Sequence, residues 1–223
     1  MKTGTSAPEI RPARLGGVEF AYIGGDPVVD FHNTISWPPR RVSNERLRRP
    51  VDLVRWAAER EVVSEHEARK LRAYTARKVA RSRAELAVAV RLRRVLHDMF
   101  LDHIEGRQTA DEQLRNLNQH LKKVRAAQTI EWNEEELRWS LPSGKSTMVI
   151  IDRLLLSAAD LLTSRDLSRL RRCANPNCGW LFLDTTRNGL RKWCSMTECG
   201  GRAKAKRYYE SRKKRKGRRP SSR

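Results

Sequence analysis

Apolar residues recur at three- and four-residue steps through most of the first two thirds of the chain, the spacing of one helical face. Leu53, Val54, Trp56 and Ala57 form the first such stripe, and Pro50 ahead of them suits the opening residue of a helix. Ser64 with Glu67 makes a capping box before Leu71, Tyr74, Ala76, Val79 and Ala80. A longer helix is predicted from about Arg83 to Ile104, with Leu86, Val90, Val95, Leu96, Phe100 and Ile104 on its face and Gly106 as its cap. Thr109 with Glu112 reads as a further capping box, followed by Leu114, Leu117, Leu121 and Val124. Upstream of all these, Phe20, Tyr22 and Ile23 alternate loosely, and Gly24-Gly25-Asp26-Pro27 marks a turn. Val28 to Thr34 predicts a short helix, stopped by Trp37-Pro38-Pro39, because a residue before proline is pushed out of the α region.

The period then changes to two. Ile130-Glu-Trp132 and Leu137-Arg-Trp139-Ser-Leu141 flank the acidic stretch 133–136, which predicts a β-hairpin packed on the helices. Trp132 and Trp139 are candidates for that packing. Pro142-Ser-Gly144 breaks the chain, and a strongly apolar helix follows from about Thr147 to Leu162. No repeat occurs at solenoid periods. The pattern predicts a mainly α, α+β fold, with residues 1–17 as a flexible leader and 18–164 as a helical domain carrying a small β-hairpin.

Composition sharpens the picture at the other end. The chain has 223 residues and a net charge of +21, but residues 168–223 alone hold 18 Lys and Arg against 3 Asp and Glu, a net of +15. A cationic segment of this kind attracts polyanions, so DNA, RNA or an anionic surface are the candidate partners. No apolar run is long enough to span a bilayer, and no secretory signal opens the sequence. The expected location is the cytoplasm, in association with the nucleoid. No glycine-rich phosphate loop, Gly-x-Ser-x-Gly or His-Glu-x-x-His pattern occurs, which argues against an enzyme.

All four cysteines fall in the basic segment, as Cys173-x4-Cys178 and Cys194-x4-Cys199. In a reducing compartment, paired cysteines on turn-forming residues point to a metal. Asn175, Pro176, Asn177 and Gly179 supply the first turn, and Gly179 is free to take positive φ. Four thiolates around zinc form a closed, structural site with no position for a reacting water. Trp180 to Leu183 reads as a strand, Asn188-Gly189 as a hairpin turn and Leu190 to Trp193 as the return strand. Trp180 and Trp193 are expected to pack around the metal. Residues 202–209 are good helix formers after the last cysteine. Knuckle, hairpin and a helix whose start carries the last ligands make a treble-clef-like zinc finger over 165–212, followed by a basic tail, 213–223.

Cys173 to Tyr209, with the run Gly179 to Gly189 and Trp193-Cys-Ser-Met-Thr-Glu-Cys-Gly-Gly-Arg202, resembles the bacterial CGNR zinc finger. Val29-Asp-Phe-His-Asn-Thr34 and Ser157 to Ser164 resemble the ABATE domain that precedes that finger. The resemblance implies a stress-induced transcription regulator with a DNA-binding finger. One position departs from it: the namesake Asn is Gly201 here.

The expected mechanism is a basic helix laid in the major groove of double-stranded DNA. Arg202, Lys206, Tyr209 and Lys213 fall on one side of that helix, Arg207 and Lys214 on the next, with Lys204 in the same stretch. Arg187, Arg191 and Lys192, at the expected hairpin tip, are assigned to neighbouring phosphates. One of Tyr208 and Tyr209 is expected to pack on the hairpin; both stacking on unpaired bases would suit RNA. An RNA- or ribosome-associated protein is therefore one alternative, and a ligand-sensing or protein-interaction protein with a purely structural finger is another. The helical domain is expected to dimerise, recruit a partner or bind a small-molecule ligand.

Overall fold

The computed structural model describes residues 19–36, 45–133, 135–142 and 144–216, without the side chains of residues 133 and 214–216. The expected leader, the Trp37-Pro38-Pro39 stop and the chain beyond residue 216 lie outside the described residues.

Helix α1 (Pro27–His32) is opened by Asp26, whose carboxylate accepts from the Val28 amide at 2.8 Å, with Pro27 fixing the first helical φ. Helix α2 (Pro50–Glu59) starts at Pro50 as its sequence predicts. In α3 (Glu65–Arg77) the Ser64–Glu67 capping box is made in both directions. The chain bends only at Lys78 before α4 (Val79–Ile104), so the long helix begins four residues earlier than its apolar stripe suggests. Gly106, just past its end, takes φ 68°. Helix α5 (Asp111–Ala126) differs from expectation at its start: Ala110 is the cap, and no side chain bonds the free amides. Asp111 and Glu112 in the first turn oppose the helix dipole instead.

Strands β1 (Thr129–Asn133) and β2 (Glu136–Ser140) pair antiparallel, with Ile130 opposite Trp139 and Trp132 opposite Leu137. The expected packing of this hairpin on the helices is not what forms. All four of these side chains are exposed, so neither Trp132 nor Trp139 is core. Helix α6 (Met148–Thr163) is the central apolar helix. Buried Glu85 of α4 caps its start, accepting from the Thr147 amide at 3.1 Å and hydroxyl at 2.6 Å.

Two cores meet on α4 and α6. One gathers Phe31, Leu53, Trp56, Leu71, Ala89 and Ile150. The other joins Val28, Leu96, Phe100, Ala158 and Leu161 to Leu170, Leu181 and Leu183, which come from the far side of α6 in sequence. Strands β3 (Leu170–Arg172) and β4 (Leu181–Leu183) carry those last three residues and pair with each other. The C-terminal region is thus built into the helical core.

Candidate metal centre and basic helix

Strand β4 pairs with β3, ahead of the first cysteine pair, and not with residues 190–193 as the Asn188-Gly189 signal predicts. The turn joining β3 to β4 is the first cysteine knuckle itself. Its ends are tied by the Cys173 amide donating to the Trp180 carbonyl at 2.9 Å. Asn175 shapes the middle, its Oδ1 accepting from the Asn177 amide at 3.0 Å. Gly179, directly after Cys178, takes φ 69°, which other residues rarely adopt. The Asn188-Gly189 segment is a loop held by Asp184, which accepts from the Thr186 and Arg191 amides at 3.0 and 2.9 Å.

The second pair sits at a helix start. Ser195 caps a single π-type turn, Met196–Gly200, by accepting from the Glu198 amide at 3.2 Å. Cys194 precedes that turn, Cys199 lies within it, and α7 (Gly201–Lys216) continues from it. Cys173, Cys194 and Cys199 are buried and Cys178 half-buried.

The four sulfurs lie within 4.8 Å of one another, with Cys194 Sγ 3.6 Å from both Cys178 and Cys199. Zn–S bonds of about 2.3 Å in a tetrahedron place sulfurs about 3.8 Å apart, so the cluster has the size zinc requires. The donors have the right character as well. Amide groups already aim at sulfur: Asn175 Nδ2 at Cys199 Sγ, 3.4 Å, and the Cys194 amide at Cys173 Sγ, 3.5 Å. Without a cation the cluster cannot ionise fully. Hydrogen bonds from Cys178 and Cys194 pull the Cys173 thiol well below its usual range, while the same contacts with Cys173 push Cys178 and Cys194 up. A divalent metal is what stabilises four thiolates at once.

Two arginines stand near this negative centre. Arg191 is expected at a hairpin tip, reaching for phosphate. Instead its guanidinium lies 4.2 Å over the Phe182 ring and donates to the carbonyls of Trp193 (3.1 Å), Ile23 (3.3 Å) and Cys194 (2.5 Å). Arg46, for which the sequence offers no signal, lies 5.1 Å over the Trp180 ring. Trp180 and Trp193 pack beside the cysteines, Phe182 and Ile23, in line with expectation.

The other expected nucleic-acid residues do reach solvent. Arg187, Lys192, Arg202, Lys204, Lys206, Arg207 and Lys213 are all exposed. Arg202 pairs with Glu198 at 2.6 Å and Lys206 with Glu210 at 3.9 Å. Exposed pairs of this kind are worth little and exchange readily for phosphate. Lys192, Trp193, Arg202, Lys206 and Arg207 line an open groove of about 620 Å³ between the knuckle and α7. Lys214 lies in α7 without a described side chain. Tyr208 and Tyr209 are 57% and 68% exposed, so neither packs on the hairpin. Among the described residues, no helix is long and apolar enough to cross a membrane.

Gly201 opens α7 with ordinary helical angles, φ −60° and ψ −46°, and a Cβ there would meet only the Met196 carbonyl, at 3.7 Å. Glycine serves no conformational need at this point. Gly201→Ala is expected to stabilise the finger by about 0.5–1 kcal/mol. Denaturant titration of the zinc-loaded protein reads the gain; an unchanged or lower midpoint counts against it.

Comparison with known proteins agrees with this geometry. A family model described as "CGNR zinc finger" matches residues 169–212. A second, ABATE, described as "Putative stress-induced transcription regulator", matches residues 25–165. Among curated proteins no relative matches the chain. Finger and sulfur cluster together mean one structural zinc ion, and the two descriptions point to a non-catalytic protein with a nucleic-acid partner. With more than half of its 223 residues matched in this order, the chain belongs to the ABATE family and ends in a CGNR zinc finger.

Proposed function

We propose that Cys173, Cys178, Cys194 and Cys199 hold the zinc, and that α7, seated on it, binds double-stranded DNA as the reading element of a transcription regulator in the cytoplasm. Residues 18–164 then act as the regulatory domain, 165–212 as the reader and 213–223 as a phosphate-binding tail. One observation carries this reading. From Lys204 to Lys213 every residue of α7 is exposed, while its first turn is joined to the turn holding Cys199. A helix polar on all sides has no core of its own to join. This one is held rigidly at one end and offers the rest to a polyanion. Its N-terminal turns are placed most firmly and suit base edges, while later residues suit phosphates.

Duplex affinity should fall steeply with salt, at about 0.9 log units per neutralised phosphate. Arg202→Ala/Lys206→Ala/Arg207→Ala is expected to weaken binding roughly 10- to 100-fold and to flatten the salt dependence. Fluorescence anisotropy with duplexes selected from random sequence measures both. Unchanged affinity would leave the finger as a scaffold only. The exposed Tyr208–Tyr209 pair supports a second reading, stacking on unpaired bases of RNA. Competition between duplex DNA and structured RNA at one salt concentration separates the two.

A further inference from the structure

The β1–β2 hairpin carries an apolar face with no partner among the described residues. Ile130 and Trp132 lie two apart on β1, Leu137 and Trp139 two apart on β2, and the register sets Ile130 beside Trp139 and Trp132 beside Leu137. All four therefore share one face, at 58%, 72%, 58% and 68% exposure. The opposite face is polar, with Glu131 beside Arg138 and Thr129 beside Ser140. An apolar cluster on this scale marks a contact surface.

We propose that two copies of this chain meet here, hairpin face to hairpin face. The pattern is self-complementary. Each Trp has an aliphatic neighbour both along its own strand and across the ribbon. When two such faces stack about a twofold axis lying in the interface, parallel or perpendicular to the strands, each Trp lands on Ile130 or Leu137 of the other copy. Large side chains fill the space over small ones, as an isologous interface demands. The area suffices. Large side chains bury about 150–250 Å² each, so these exposures leave on the order of 500 Å² per copy and roughly 1,000 Å² per pair, the lower bound of a specific interface.

Charge argues against the other occupants. The segment from Ile130 to Leu137 holds Glu131, Glu134, Glu135 and Glu136 and no basic residue, in a chain of net charge +21. Those glutamates repel the phosphates of nucleic acid and of anionic lipid, the other surfaces on which exposed tryptophans settle. A pair joined here presents two α7 helices, as a two-fold symmetric DNA site requires.

Sedimentation velocity on the full-length, zinc-loaded chain without nucleic acid is the test. It is expected to give twice the chain mass, with tryptophan emission shifting to the blue as concentration rises. Trp132→Ser/Trp139→Ser should raise the dimer dissociation constant roughly 100-fold while zinc stays at one per chain. Leu137→Lys, which leaves both tryptophans, should act in the same direction. A wild type that is monomeric throughout, or variants that pair as well as wild type, overturns the proposal. So does an emission shift produced by anionic vesicles or single-stranded oligonucleotide but not by protein concentration. Because nucleic acid is absent, failure here leaves the DNA-binding reading of α7 standing.

Discussion

Serine in place of Cys194 is expected to unfold more than the zinc finger. Cys194 is 2% exposed and sits 3.6 Å from both Cys178 and Cys199, so its sulfur is central to the cluster. Zinc binding to such sites contributes about 10–16 kcal/mol of apparent folding free energy. Around the sulfurs themselves little else holds the knuckle and the start of α7. The other buried side chains of that cluster are Phe182 and, from ahead of α1, Ile23, with Trp180 and Trp193 half-covered. The loss then travels. Leu170, Leu181 and Leu183 share a core with Leu96, Phe100 and Leu161, and each large apolar side chain re-exposed costs about 1.5–3 kcal/mol. A domain has only about 5–15 kcal/mol in total. Cys194→Ser should therefore lower the melting temperature by at least about 10 °C and leave less than one zinc per chain. Calorimetry with metal analysis reads both, and a strong chelator should reproduce the effect on wild type. A variant that melts with wild type and retains its zinc would refute this account of the finger.

That coupling is the part of the fold least legible in the sequence. Helices α2, α3 and α6 follow from apolar spacing plus local signals, Pro50 and the Ser64–Glu67 box, because helix information lies within a few residues. The metal centre is equally local, since paired cysteines on Asn, Pro and Gly turns need no distant partner. Strand β3 carries no such signal. It is three residues long, two of them arginine, and its partner lies across the knuckle. Asn188-Gly189 is a real turn, with Gly189 at φ 61°, but Asp184 closes it as a loop and no strand returns. Arg191 shows what charge alone leaves out: its guanidinium donates to the carbonyls of Trp193 and Cys194 beside the thiolate cluster. Alternation in β1–β2 gives the apolar face correctly but says nothing of what covers it.

Asn33→Ala is expected to cost about 3 kcal/mol and to loosen the junction without emptying the metal site. Asn33 follows α1, 148 residues from its partner, and its side chain stands in for a missing strand beside β4. Its Nδ2 donates to the Leu181 carbonyl at 2.8 Å, and its Oδ1 accepts from the Leu181 amide at 3.0 Å. Leu181 is fully buried, so alanine at 33 leaves two backbone groups with neither protein nor water, at about 1–3 kcal/mol each. Aspartate is no rescue. It lacks the donor for the carbonyl and places a charge among buried groups. The neighbouring Asn33 Oδ1 also lies 3.0 Å from Nδ1 of His32, whose Nε2 meets His97 Nδ1 at 2.8 Å. Burial holds both rings neutral, pushing His32 down to about 3 and His97 to about 4. Denaturant unfolding of Asn33→Ala should show the loss, and hydrogen exchange should place it, with faster exchange at Leu181 and Leu183 while zinc remains at one per chain. The Leu183 amide should respond because it donates to the Gly24 carbonyl at 2.8 Å, from the segment leading into α1. Stability within about 0.5 kcal/mol of wild type, the range of an ordinary surface change, would mean that apolar packing alone joins the finger to the helical core. With the Cys194→Ser result beside it, metal loss and junction loss become separable: one empties the sulfur cluster, the other frees β4 while the cluster stays filled.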